Sequence, residues 1–253
     1  MLIKPYLVHA LSPLHAGTGQ SVDVVDLPIA RTRATGIPFL PGSSIKGVLR
    51  ERCRAREEGG KHEAKLWAVF GPEHTQADKH AGAFAVTDAR LLALPVRSFC
   101  GTFAWVSSPL LLMLARRDLA AAGHVKVPPE VKPSKGPRAH VTKSSRVTHE
   151  DGPRSTVYLE DLDLPAEASD EVSAWAAWLG RWVASGGDML TGRLVVVDDD
   201  TMSFLLETAT QIDARVRIDG STGTVAQGAL WYEESLPAET LLVGLAMADQ
   251  SRH

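Results

Sequence analysis

Apolar and polar positions change period several times along the chain, and those changes divide it into strands and helices. Residues Tyr6 to Leu11 alternate and predict a first strand. A long loop from Ser12 to Gly42 follows, punctuated by glycines and by Pro28, Pro38 and Pro41. A connection of that length without structure of its own is usually functional or disordered. Ser43 or Ser44 then offers an N-cap for a helix running to about Arg56. Ile45, Val48 and Leu49 make its apolar stripe, so Lys46, Arg50 and Arg54, one turn apart, share a solvent-facing edge. A second helix, Lys61 to Phe70, stops at Gly71-Pro72.

Gly82 to Leu94 alternates loosely and predicts a strand, and Ser108-Pro109 opens a helix that ends near Gly123. The stretch 124–156 has no clear period. It carries seven Lys or Arg against three acids, and is expected to be a flexible basic insertion within a single domain. Val157 to Leu159 resumes a strand. Asp170 to Ala184 is an amphipathic helix with Val172, Trp175, Ala176, Leu179, Trp182 and Val183 at helical spacing. That spacing assigns the tryptophans to the core and not to base stacking. After Gly186-Gly187 come a strand over Arg193 to Val197 and a short helix over Asp200 to Thr208. Two strands, Asp213 to Ile218 and Thr224 to Trp231, flank a Gly-Ser-Thr-Gly turn and predict a hairpin, and Leu241 to Met247 is a last strand. The order suggests an α+β protein with helices on one face of its sheet, which a ferredoxin-like (RRM-like) βαββαβ core accommodates.

Composition narrows the class. With 253 residues, 44% of them hydrophobic and 23% charged, a globular fold is expected. The formal net charge of -3 excludes a bulk polycation, so any nucleic-acid role must rest on a local basic surface. Cys53 and Cys100 are far apart, with no ligand spacing for zinc. They suit reduced thiols in a cytoplasmic protein. The N-terminal apolar stretch is too interrupted for a signal peptide, and the longest apolar run, Pro109 to Ala115, is too short to span a bilayer.

Most candidate chemistry has an ordinary structural explanation. The nine histidines form no HExxH or HxH arrangement; His9 reads as a satisfied strand histidine, and His62, His74 and His80 are irregularly spaced. No GxSxG or Walker motif occurs. Asp198-Asp199-Asp200 joins a strand to a helix, where aspartate is a common N-cap. The region from His15 to Arg50 differs. Gly17 and Gly19 allow close approach of another chain, Asp23 and Asp26 sit three residues apart on the loop, and Arg31 and Arg33 alternate beyond them. A Pro-Gly-Ser-Ser turn leads into the basic helix, whose first amides and Lys46 and Arg50 suit phosphates. Two readings fit: a clamp for an anionic polymer with a carboxylate in reach, or a glycine-rich structural loop with solvated charges.

The segment HAGTGQSVDVVDLPIARTRATGIPFLPGSSIKGVLR resembles the N-terminal signature of the RAMP-superfamily backbone subunits of type III-B CRISPR (Cmr) effector complexes. The resemblance continues through TDARLLALPVRSFCGTFAWVSSP, RLVVVDDD, and ARVRID…TGTV…GALWYEESLP, from about Tyr6 to Leu245, and is weakest in the basic insertion. It implies a subunit stacked in further copies of itself along a CRISPR guide RNA, with the large signalling subunit, the small subunit and capping RAMP subunits as other partners. It also implies a β-hairpin thumb that displaces bases of the bound target RNA, and target cleavage dependent on Mg²⁺ or another divalent metal. The family's cleaving aspartate falls on Asp26, which is then both the catalytic residue and the metal ligand.

The RNA-contacting positions expected from the clamp and the resemblance together are His15, Gly17, Gly19 and Arg31 in the loop, and Ser43, Ser44, Lys46, Arg50 and Arg54 at the helix. Arg215 and Arg217 are expected on the hairpin, which is assigned as the thumb; the stretch 124–156 is the rival location. The alternative within the family is a guide-binding scaffold that does not cut, and a stand-alone guide-processing nuclease is a third reading. The match departs from the family pattern near His253, where the family's glycine-rich segment has no counterpart. That leaves completion of the sheet and part of the guide-binding surface open.

Overall fold

Leu194-Val195-Val196-Val197 is apolar at four successive positions, which a strand accepts when both of its faces are covered. These residues form β10 (Leu194–Val197): Val195 and Val197 enter one apolar cluster, Leu194 and Val196 another. The computed structural model describes residues 1–19, 25–55, 60–72, 80–123, 126–134, 136–183 and 187–250.

From β10 the sheet runs in two directions. On one side lie β5 (Thr102–Ser107), parallel to β10, and then β4 (Ala89–Ser98). On the other lie β6 (Ala139–Val141), β9 (Leu162–Ala168) and β8 (Arg154–Leu159). Ser98 of β4 pairs with Leu159 of β8 and closes these six strands into a barrel-like ring. β7 (Thr148–Asp151) extends β8. β13 (Leu241–Ala248) pairs with β4 and carries β1 (Leu2–His9) on its far edge. Two short strands, β2 (Phe39–Leu40) and β3 (Phe84–Val86), pair with β4 and β13.

One cluster fills the ring and its mouth, with Leu94, Val96, Val106, Val157 and Val195 inside. It is capped by Met202, Leu205 and Leu206 of α6 (Asp199–Thr208) and by Ile29 and Ile37 of the long loop. The other cluster lies outside, under α3 (Pro109–Ala121), α4 (Asp170–Leu179) and α5 (Gly187–Arg193). Ser108 caps α3, its side chain accepting from Leu111 N–H, and Asp198 caps α6 through Thr201 N–H at 2.9 Å. Asp199 in turn accepts from Leu110 N–H at 3.0 Å, so the aspartate run ties two helix starts together. α1 (Gly42–Arg54) and α2 (Gly60–Phe70) pack against each other beside β3. β11 (Gln211–Ile218) and β12 (Val225–Ser235) form a separate two-stranded hairpin.

The architecture is therefore mixed α+β with a closed ring of strands. Several sequence expectations are corrected. Gly82 to Leu94 is two strands, broken at Thr87-Asp88, and β5, β9 and α5 were not anticipated. The stretch 124–156 is not an unstructured surface insertion. It contributes β6, β7 and part of β8, and it buries Val131, Ala139, Val141 and Val147. Its basic residues conceal this because two of them are paired on the surface, Arg138 with Glu167 and Lys143 with Asp170. Trp182 is not core. α4 ends at Leu179, so the helical spacing lapses and the indole is largely exposed, tilted against Trp178. Asp23, His74, Lys135 and the Gly186 turn lie outside the described residues.

Candidate nucleic-acid interface and cleavage site

The loop that carries Asp26 is stitched to the base of the β11–β12 hairpin. Leu14 and Leu236 exchange backbone hydrogen bonds at 2.9 and 3.0 Å. Leu27 N–H donates to Tyr232 C=O at 3.1 Å, and Glu234 N–H donates to Leu27 C=O at 3.0 Å. Leu27 thus pairs parallel with Glu233, and the segment lies along the outer edge of β12 like a third strand. At its start, Asp26 Oδ2 accepts from Tyr232 N–H at 2.7 Å. The carboxylate is half-buried and set at the foot of the hairpin.

His15 faces the same edge. Its Nδ1 lies 2.6 Å from Glu234 C=O, and since a carbonyl only accepts, Nδ1 carries the proton. The ring lies over Gly17, where a Cβ would sit 2.4 Å from Nε2, so a side chain there would have to push the imidazole aside. Gly19 has a φ of 104° and open space around it, and allows the turn without crowding. Arg31 is engaged within the protein: Nη2 donates to Glu234 Oε1 at 2.5 Å and to Leu206 C=O at 3.0 Å, and Nη1 to Gly36 C=O at 3.1 Å. Sequence reasoning placed Arg31 among the RNA contacts. The structure places it in an ion pair with a buried glutamate that the sequence did not single out.

The hairpin is two-faced. The register sets Ala214 opposite Tyr232 and Val216 opposite Leu230, and with Ile212 these make an apolar face open to solvent. On the other face Arg215 stands opposite Trp231, with Asp213 and Glu233 3.7 and 3.6 Å from its guanidinium. Arg217 is exposed further out. At the tip, Asp219 Oδ1 accepts from Ser221 N–H at 2.8 Å and from its hydroxyl at 2.6 Å. The Ser221 hydroxyl, then the Ser221 and Thr222 amides, hold the Asp219 carboxyl below the ordinary aspartate range. A bulge between Val216 and Ile218, with Gly228 at a φ of 70°, bends the hairpin midway.

α1 differs from its sequence reading in two respects. Pro41 stands at the N-cap with no side-chain cap, and Gly42 N–H donates to Asp88 Oδ1 at 2.8 Å. A carboxylate therefore occupies the first amide of the proposed phosphate site, while Ser43 and Ser44 remain exposed. The faces are also rotated: Val48 is 68% exposed and Leu49 40%. Lys46 and Arg50 are instead partly covered, and Arg50 donates to Pro72 C=O at 3.1 Å. Burial, and then the neighbouring Arg50 charge, lower the Lys46 pKa from its ordinary value. Arg54 is exposed near Glu51 at 3.9 Å. α2 packs beside α1, and the Arg50 guanidinium reaches Pro72 C=O just past the end of α2.

Other candidates resolve as structural. His9 pairs with Glu239 at 2.7 Å, and His80 reaches Trp67 C=O at 3.2 Å. Among the described residues no three His, Cys, Asp or Glu side chains gather as a metal site. Asp26 alone fits a hard ion that takes one protein carboxylate and completes its shell with phosphate oxygens and water, as magnesium does.

Residues 7–251 match the RAMP superfamily. The chain belongs to the RAMP superfamily. Among the superfamily's members, it is 36% identical over 250 residues to the CRISPR system Cmr endoribonuclease Cmr4 of Pyrococcus furiosus, covering 97% of this chain and 82% of that one. The CRISPR system CMR subunit Cmr4 of Saccharolobus solfataricus is 24% identical over 275 residues, covering 99% and 85%. The crystal structure of oligomeric Cmr4 from Pyrococcus furiosus superposes with a TM-score of 0.75 at 27% identity, covering 100% of this chain and 84% of the other.

Proposed function

We propose that this RAMP protein is an RNA-binding backbone subunit of a type III-B CRISPR effector complex that cleaves bound complementary target RNA at regular intervals with Asp26. The observation that carries the reading is the Asp26 carboxylate, held by Tyr232 N–H at the foot of an exposed hairpin. The Pyrococcus furiosus relative named as an endoribonuclease supports the activity, and the oligomeric relative supports stacking in further copies. Guide RNA, target RNA and the other subunits of the complex, large, small and capping, are its partners, in the cytoplasm.

The β11–β12 hairpin is the thumb in this reading. Its apolar face, with Val216, Leu230 and Tyr232 in the open, wedges between stacked bases and frees a nucleotide from A-form geometry. The freed 2'-hydroxyl then lines up with the adjacent phosphorus. Asp26 takes its proton; the new O–P bond forms as the bond to the 5'-oxygen breaks, and that oxygen takes a proton from water, giving a cyclic phosphate and a 5'-hydroxyl end. Positioning supplies much of the acceleration. When a divalent ion is bound, Mg²⁺ or another, Asp26 would hold it and the ion would neutralise charge at that phosphate. Lys46, Arg50 and Arg54 of α1 hold backbone phosphates, with Ser43 and Ser44 exposed beside them. Gly17 and Gly19 let the RNA backbone come close, with His15 beside them, and Arg215 and Arg217 contact it from the hairpin. The ring is an elaborated ferredoxin-like core in a single domain, a reading supported by the parallel neighbours β5 and β10, whose connection carries α3.

One observation favours the scaffold alternative: the Asp26–Tyr232 bond serves the fold whether or not the carboxylate cuts. A complementary RNA labelled at one end separates the two. The assembled complex should give regularly spaced fragments, and a target with 2'-deoxy nucleotides at the cut positions should bind and stay whole. Binding without cutting of the all-RNA target would leave the scaffold.

A further inference from the structure

We infer that Glu234 is a positioning residue for cleavage, locking the Asp26 loop and the hairpin into one rigid body. This rests on the reading of Asp26 as the cleaving carboxylate. Glu234, near the end of β12, is 7% exposed. An ionised side chain so deeply placed is costly unless every partner is supplied, and a buried ion pair is a weak source of stability compared with an apolar residue of similar size. What such a pair supplies here is geometry.

Its partners bracket Asp26 on both sides. Oε1 accepts from Arg31 Nη2 at 2.5 Å and Oε2 from Ile29 N–H at 3.0 Å. Its own N–H donates to Leu27 C=O at 3.0 Å, and its C=O accepts from His15 Nδ1 at 2.6 Å. One residue of β12 therefore holds positions 15, 27, 29 and 31 of the loop. Arg31 carries the brace further, to Gly36 C=O and to Leu206 C=O of α6. Asp26 adjoins this clasp through Leu27. It cannot shift along the hairpin without breaking the bonds that Glu234 makes.

The consequence is a fixed relation between the base the hairpin displaces and the linkage Asp26 meets. Removal of the Glu234 side chain leaves the Asp26–Tyr232 bond and the main-chain bonds to Leu27 and His15, but frees Ile29 N–H and Arg31. The loop beyond Leu27 then loses its brace, and the carboxylate is held against the hairpin on one side only. A displacement of about 1 Å at a reacting group costs on the order of a hundredfold in rate. Glutamine at 234 offers one oxygen to two donors and turns its amide N–H toward the guanidinium.

The test uses complexes assembled with full-length wild-type, Glu234→Ala, Glu234→Gln or Asp26→Asn chains. It measures target affinity, the single-turnover rate and the cut positions at single-nucleotide resolution. With Asp26→Asn inactive, we expect both Glu234 variants to bind target as wild type does and to cut roughly ten- to a hundredfold more slowly. Their cuts should spread to neighbouring linkages, which mere loss of folded subunits would not produce. Wild-type rate and sharp cut positions in Glu234→Gln would overturn the inference, also where Glu234→Ala fails to assemble. Cutting by Asp26→Asn would instead overturn the reading of Asp26, and with it the role given to Glu234.

Discussion

The Asp26 carboxylate accepts a hydrogen bond from Tyr232 N–H at 2.7 Å, across 206 positions of the chain. Asp26 is therefore both a candidate reactive group and a tie between the loop and the hairpin. The two roles separate by substitution. Asparagine keeps an acceptor for Tyr232 N–H, whereas alanine does not. We expect Asp26→Asn to unfold at the wild-type denaturant midpoint and Asp26→Ala to lose up to about 1 kcal/mol, measured by equilibrium unfolding. Equal loss in both variants would mean that the charge itself, and not the hydrogen bond, holds the loop.

The basic helix gives a second expectation. Lys46→Ala with Arg50→Ala should weaken guide RNA binding without regard to sequence. The slope of log affinity against log salt should become shallower by about one to two contacts. Arg50 already donates to Pro72 C=O and Lys46 is partly covered, so Lys46→Ala alone should carry part of the effect. Filter-binding titrations over a salt series decide this, and an unchanged slope would remove α1 from the RNA path.

The covered strand at Leu194 to Val197 and the helices with a clear cap were legible in the sequence, whereas β5, covered on both faces as well, was not. Leu194 to Val197, Ser108-Pro109 and the aspartate run at α6 fall where pattern reading puts them. The failures have physical causes. Val48 and Leu49 read as a buried stripe because amphipathic analysis assumes that apolar side chains face inward, yet both stand exposed while Lys46 and Arg50 are partly covered. β9 carries Pro165, and β6 and β7 are only three and four residues long, so alternation has no length in which to show. Asp26 stood out through the resemblance; the residues alone left a clamp and a structural loop open. Glu234 could not be found at all. In a Glu233-Glu234 pair nothing marks the second as buried, because its partner Arg31 is 203 positions away.

The hairpin tip should be separable from the fold. Its strands stand apart from the main sheet, and the Asp219–Ser221 bonds are local. Replacement of Ser221 to Val225 by a short Gly-Ser turn should leave the circular dichroism and target affinity unchanged while the regular cut pattern fades. Displacing a base costs a few kcal/mol, which a shortened wedge no longer offsets. An unchanged pattern would remove the thumb role from this hairpin.

Asp198 supplies a pH-dependent part of the stability. Burial opposes ionisation of its carboxyl, but the Thr201 hydroxyl and amide, together with the Asp198 and Arg138 amides, outweigh it and hold the pKa below the ordinary aspartate value. Because the folded value is the lower one, the ionised cap stabilises above the unfolded pKa and its contribution fades as pH falls through the depressed value. Asp198→Ala should cost about 1 kcal/mol at neutral pH. The gap to wild type should narrow in acid, as chemical unfolding at a series of pH values would record. A gap that stays constant into acid would show that the cap acts without its charge.

The most direct measurement is single-turnover cleavage of an end-labelled complementary RNA by complexes carrying wild-type or Asp26→Asn chains at equal occupancy of target. The account predicts evenly spaced fragments from the wild type and intact RNA from Asp26→Asn, bound with the same affinity. The same fragments at the same rate from Asp26→Asn would contradict it.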